Sequence, residues 1–195
     1  MTKKPTEVLF LDMDGTVRKP ITAGVFIQNP MDQELIEGVA NAIAHFKELG
    51  FRFVGISNQA GISAGHKSLG QVVAEMRQTI KLLPDLEAIY FSPDFTSLSC
   101  VKVPRDSELN FYETNHDVIA HPEKGFRKPA KGMVELAISE LGLPEGTNYI
   151  FVGDRDEDYE TAKNAKISFI WASEWRSPFI YRGEGNYTQL KIHSW

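Results

Sequence analysis

Val8-Leu9-Phe10-Leu11-Asp12-Met13-Asp14-Gly15-Thr16 is an apolar run that ends in two carboxylates one residue apart. A short run of this kind reads as a buried strand of a parallel sheet. Open α/β sheets place their ligands at the carboxyl ends of such strands. On a straight strand, residues i and i+2 share a side, but Gly15 begins a loop, so the two carboxylates are free to diverge. Two acids held close repel each other unless a cation or a proton intervenes. The arrangement suits a divalent metal, with one carboxylate as nucleophile and the other as acid/base. The bland reading is that Asp and Gly are common after any strand.

Three further segments supply what such a site lacks. Phe51-Arg52-Phe53-Val54-Gly55-Ile56 reads as a second buried strand and ends in Ser57-Asn58-Gln59, whose hydroxyl and backbone N–H groups suit phosphate oxygens. Phe126-Arg127-Lys128-Pro129 brings fixed positive charge. Tyr149-Ile150-Phe151-Val152-Gly153-Asp154 is a third apolar run ending in an acid, followed by Asp156, Glu157 and Asp158.

Around these segments the chain alternates strands and helices. Residues 16–31, with Pro20, Gly24 and Pro30, read as a loop or a small hairpin flap. Asp32 is placed to cap a helix running to about Leu49, with Leu35, Val39, Ile43 and Phe46 at helical spacing and Gly50 as the stop. A second helix is expected over Lys67–Leu83, a strand over Leu86–Phe91, and a helix from Pro129 to Leu141. A short helix over Glu157–Ala165 and a last strand, Ile167–Trp171, follow. Residues 92–127 show no clear period and are too long for an idle connection, so they read as a functional or substrate-facing insert. Residues 172–195 have no assigned role. Strands alternating with helices imply a parallel sheet with right-handed crossovers, here of five strands.

The 195 residues are 42% hydrophobic and 24% charged, with a formal charge of −5, which fits one domain over 1–195. The acidic balance argues against a broadly basic nucleic-acid surface. One cysteine, Cys100, cannot form an internal disulfide. No segment reads as a signal peptide or reaches membrane-spanning length, so a cytoplasmic protein with no membrane partner is expected. His45 and His66 read as structural or helix-start residues. Trp171, Trp175 and Trp195 read as packing for the C-terminal segment. Gly61, Gly65 and Gly70 lack dinucleotide spacing.

Acid pair, hydroxyl, lysine and late acid, in that order over roughly residues 7–172, resemble the haloacid dehalogenase superfamily. Within it, the chain is similar to histidinol-phosphate and heptose-bisphosphate phosphatases and to the phosphatase halves of polynucleotide kinase-phosphatases. The motifs behind this are Asp12-Met13-Asp14-Gly15-Thr16, Ser57-Asn58-Gln59-Ala60-Gly61-Ile62, Arg127-Lys128-Pro129 with Gly132-Met133, and Gly153-Asp154 with Asp158. The resemblance implies a three-layer Rossmann-like sandwich without a large cap domain. It makes Asp12 the nucleophile that forms an aspartyl-phosphate and Asp14 the acid/base. Mg²⁺ would be held by Asp12, the Asp14 backbone carbonyl and Asp154, and phosphate oxygens by Ser57 and Lys128.

Asp158 would hold a metal-bound water, orient Lys128 or cap the following helix, and Thr16 would fix the loop after Gly15. Asn58, Arg127, Arg155 and Arg18 are the candidate substrate contacts, with Lys19 beside them. Heptose-type relatives often carry a Cys/His zinc loop before the Arg-Lys-Pro segment. Here Ser92-Pro93-Asp94 stands at its start, and Cys100 with His116 and His121 is a poor structural zinc set, so no zinc is expected. The expected substrate is a small phosphorylated metabolite of the sugar-phosphate or histidinol-phosphate type. The rivals are a 3′-phosphatase of DNA or RNA ends and a catalytically silent phosphate-binding module. For a polynucleotide, Lys102, Arg105, Lys124, Arg127, Lys128 and Lys131 would line the backbone groove, and Phe111, Tyr112 and Phe126 would stack on bases. Neither the substrate nor the oligomeric state is named by these motifs.

Overall fold

A computed structural model describes residues 7–106, 117–120, 125–180 and 191–195. The elements run β1 (Glu7–Asp12), β2 (Arg18–Lys19), β3 (Glu34–Leu35), α1 (Val39–Glu48), β4 (Phe51–Asn58), α2 (Leu69–Leu82), β5 (Leu86–Ser92), β6 (Ser99–Pro104) and β7 (Asp117–Ala120). They continue with α3 (Gly132–Leu141), β8 (Asn148–Gly153), α4 (Asp156–Ala165), β9 (Ser168–Trp171), α5 (Ala172–Arg176) and a 3₁₀ turn, Ser177–Phe179.

The main sheet has seven strands in the order β7-β6-β5-β4-β1-β8-β9. β5, β4, β1, β8 and β9 are parallel and are the five strands expected from the sequence. Sequence order reverses at β1, which leaves a crevice at the carboxyl ends of β1, β4 and β8. The sheet is two strands wider than the expected five, because the 92–127 insert adds β6 and β7 antiparallel to one edge. β6 escaped a period-two reading because Cys100 and Val101 point to opposite faces and both are buried. Helices cover both faces. α1, α2 and α5 pack with Leu9 and Leu11 of β1, and α3 and α4 pack with Val8 and Phe10, the alternation a strand imposes. Among the described residues, no helix is long and apolar enough to cross a membrane.

Three local readings differ, and the first is that α3 begins at Gly132 and not at Pro129. α1 begins at Val39 after Gly38 (φ 89°), not at Asp32, because Arg18–Lys19 pairs antiparallel with Glu34–Leu35 and makes residues 18–35 a hairpin flap. Asp32 closes that flap instead, accepting from the Thr22 backbone N–H and hydroxyl at 2.9 Å each and from the Gln28 N–H at 3.2 Å. α2 starts at Leu69 because Ser68 and Gln71 form a reciprocal capping box.

Residues 172–180 and 191–195 are part of the packing. Trp175 is fully buried beside Phe46, and His193 bridges to Phe169 at the β9 edge. Trp195 meets Tyr159 edge-on.

Candidate active site

The parity of β1 sends Asp12 toward the α3/α4 face, where it meets Lys128. The Lys128 ammonium is buried and donates to Asp12 Oδ1 and to Asp158 Oδ1 at 2.5 Å each. Burial works against this ammonium, but Asp12 and Asp158 outweigh it and hold its pKa above the ordinary lysine value. Burial pushes the Asp12 carboxyl well above the carboxylate range, against the pull of Lys128, and the charges of Asp158 and Asp14 add to the rise.

Asp158 combines two of its expected roles. One oxygen holds Lys128, and the other accepts from the backbone N–H groups of Asp154 and Arg155 at 3.2 and 3.1 Å, which caps α4. Gly153 permits this approach, since a Cβ there would overlap the Asp158 side chain.

Asp14 diverges from Asp12, as the Gly15 turn allows (φ +93°). Its carboxylate accepts from Arg18 Nε at 2.9 Å and from Gln59 Nε2 at 2.7 Å, while 42% of the side chain stays open to the cleft. Burial alone would raise its pKa, but Arg18, through charge and hydrogen bond, and Gln59 outweigh burial and hold it below the usual range.

Asp154 stands at the mouth of the crevice and accepts from the Thr16 hydroxyl at 3.2 Å. A Cβ on Gly15 would overlap its carboxylate. Arg176 of α5, unforeseen in the sequence, donates to the Thr16 and Gly15 carbonyls at 2.6 and 3.2 Å and pins this turn.

The donor set fits a hard divalent cation. Carboxylate oxygens of Asp12, Asp154 and Asp158 lie within 4.8 Å of one another, the one such group of metal-capable side chains among the described residues. Lys128 serves Asp12 and Asp158, and among the described residues no cation lies within ion-pair distance of Asp154. Cys100 is buried in β6, where burial pushes its thiol up to about 12. His116 and His121 lie outside the described residues.

The substrate candidates separate. Ser57 is buried at the end of β4, its hydroxyl accepting from Gln59 at 2.9 Å. Asn58 lines the cleft, and its amide exchanges hydrogen bonds with the Lys128 carbonyl (3.1 Å) and N–H (2.9 Å), so it places the lysine. Arg18 stands among the residues around the cleft but is turned inward with no exposed surface. Arg127 and Arg155 do line the cleft, a space of about 990 Å³ above Asp12 and Asp14.

Sequence reasoning did not single out the exposed apolar walls of that cleft. Phe26 on the flap is 68% exposed and Phe95 on the insert 63%, with the Arg127 guanidinium 5.2 Å from the Phe95 ring. His66 and Lys67, read only as residues at a helix start, also line it.

Of the residues named for a polynucleotide backbone, Arg127 lines the cleft. Lys102 pairs with Glu140, Arg105 with Asp106 and Lys131 with Glu135, while Lys128 and Phe126 are buried. Lys124, Phe111 and Tyr112 lie outside the described residues.

Fold and constellation together define a phosphatase of the haloacid dehalogenase superfamily. Residues 7–175 match the family described as polynucleotide kinase 3 phosphatase, and the chain belongs to that family. It is 32% identical over 163 residues to the D-glycero-beta-D-manno-heptose-1,7-bisphosphate 7-phosphatase of Yersinia pestis, across 82% of this chain and 76% of that one. It is 31% identical over 173 residues to the D-glycero-D-manno-heptose-1,7-bisphosphate 7-phosphatase of Chlorobaculum tepidum, across 84% and 77%. The crystal structure of the B. bronchiseptica D,D-heptose 1.7-bisphosphate phosphatase, complexed with magnesium and phosphate, shares the fold. Its TM-score is 0.59 over 84% of this chain and 78% of that one, at 20% identity.

Proposed function

We propose that the protein is a Mg²⁺-dependent phosphomonoesterase that works through an aspartyl-phosphate on a small phosphorylated metabolite of the sugar-phosphate type. The observation that carries the reading is Lys128 held between Asp12 and Asp158 beneath an open cleft, with Asp14 facing the same space. The relatives named for heptose-bisphosphate hydrolysis support the sugar-phosphate class.

In this mechanism an Asp12 oxygen attacks phosphorus as the bond to the substrate alcohol breaks, and Asp14, which the charge of a bound phosphate dianion would keep protonated against the pull of Arg18, gives that alkoxide its proton. Asp14 then takes a proton from water, which attacks the same phosphorus, releases phosphate and restores the Asp12 carboxylate. Lys128 and the Ser57 hydroxyl hold the phosphoryl oxygens as their charge shifts. Mg²⁺, bound by Asp12, the Asp14 carbonyl and Asp154, would offset the repulsion between an anionic nucleophile and a phosphate dianion. Phe26, Phe95, Arg127 and Arg155 border the space left for the leaving alcohol.

Asp12→Asn should lower turnover by at least about 10³-fold while keeping the fold, because the near-isosteric amide cannot act as the carboxylate nucleophile. A chelator should stop the parent enzyme, and Mg²⁺ should restore it. Near-normal, metal-independent hydrolysis by Asp12→Asn would refute covalent catalysis through this residue. The family description also supports a second reading, a polynucleotide 3′-phosphatase. A panel of sugar phosphates, histidinol phosphate, nucleotides and 3′-phosphorylated oligonucleotides separates the two by kcat/KM.

A further inference from the structure

We infer that Arg18 is the positioning residue of the acid/base Asp14, acting from a buried network that joins the flap to α2; the inference rests on the acid/base reading of Asp14 above. Arg18 has no exposed surface, so it cannot be a substrate contact in this arrangement. Its guanidinium is held on several sides. Nε donates to Asp14 Oδ1 at 2.9 Å. Nη1 donates to Thr79 Oγ1 at 2.7 Å, to Gln33 Oε1 at 3.1 Å and to the Glu75 carbonyl at 3.3 Å. Nη2 lies 4.0 Å from the buried Glu75 carboxylate. Glu75 in turn pairs with Lys67 at 2.8 Å, a residue at the cleft wall.

A guanidinium is planar and stays charged, so one edge fixed on α2 and Gln33 sets the direction of the Nε–H bond at the other. With Gln59 donating to Oδ2 at 2.7 Å, each Asp14 oxygen has one fixed donor, and the carboxyl plane is set before any substrate arrives. General acid catalysis depends on such aim, because a proton is passed only within hydrogen-bond reach. Burying an arginine against carboxylates, here Asp14 and Glu75, for stability alone is a poor bargain, since apolar residues of like volume often serve as well. A role in aiming Asp14 explains its place.

Leaving-group dependence tests this. An alkyl phosphate needs its alkoxide protonated, whereas p-nitrophenyl phosphate does not, and kcat/KM reports this first step for both. In Arg18→Gln, kcat/KM for an alkyl phosphate should fall at least about ten times further than for p-nitrophenyl phosphate. Arg18→Lys, which keeps the buried charge but loses the fork, should show the same selective loss to a smaller degree and provides the readout if Arg18→Gln folds poorly. A purely structural role lowers both substrates by one factor, and that equal loss, or no loss, overturns the inference. Asp14→Asn is measured in parallel. If it is not alkyl-selective, the acid/base reading itself fails; if it is and the Arg18 variants are not, only the role of Arg18 fails.

Discussion

Lys128 shows what a single buried charge does in this site. It lies between two buried carboxylates, Asp12 and Asp158, and is aligned by Asn58 through its own backbone. Lys128→Met keeps the stem volume but removes the shared donor and counter-charge of two buried acids. Breaking a buried pair in this way costs about 3–5 kcal/mol. A denaturant titration without metal should show that loss, and an unchanged midpoint would mean that the two acids are already neutral in the folded protein.

At the scale of elements, the flap and the insert divide support from recognition. The Asp94 turn accepts from the Thr96 hydroxyl and the Ser97 N–H at 2.7 Å each, and from the Ser99 hydroxyl. Ser97 then holds the Phe126 and Arg127 N–H groups, at 2.8 and 2.7 Å, just ahead of Lys128. Burial would raise the Asp94 pKa, but these hydroxyl and backbone donors outweigh it and hold it low. A depressed folded pKa adds stability that is present above the unfolded carboxylate value and lost as pH falls through the folded one. Asp94→Asn should therefore cost about 1 kcal/mol at neutral pH, a gap that closes as pH drops below the usual carboxylate range. A gap constant with pH would show that charge on Asp94 is irrelevant.

The exposed ends of the same two elements border the cleft above Asp12 and Asp14. Alanine at Phe26, Phe95 or Arg127 should reorder a panel of substrates while p-nitrophenyl phosphate slows by less than about three-fold, because only larger alcohols reach these walls. Uniform loss across the panel would place them at the phosphoryl centre instead.

At the scale of the molecule, the formal charge is −5, and the surface cations Lys102, Arg105 and Lys131 are paired with acids. A polymer gripping several phosphates loses affinity steeply with salt. The apparent affinity for 3′-phosphorylated oligonucleotides should instead change by less than about three-fold between roughly 50 and 200 mM salt. A steep slope would favour the polynucleotide reading over the metabolite.

The sequence alone determined the five parallel strands and the residues at their ends. A strand buried on both faces is a continuous apolar run, and where it stops the first polar residues must face the crevice. Asp12, Asp14, Ser57 and Asp154 were legible for that reason, and Lys128 by its motif. What each neighbour does was decided by tertiary structure. Arg18 meets Thr79 across 61 residues, Asn58 meets Lys128 across 70, and Arg176 reaches Thr16 across 160. No local period or turn signal encodes such partners. Only the closing of α2 and α5 over one face of the sheet, and of the 126–128 segment over the other, turned a surface-looking arginine inward and made an asparagine a clamp for the lysine.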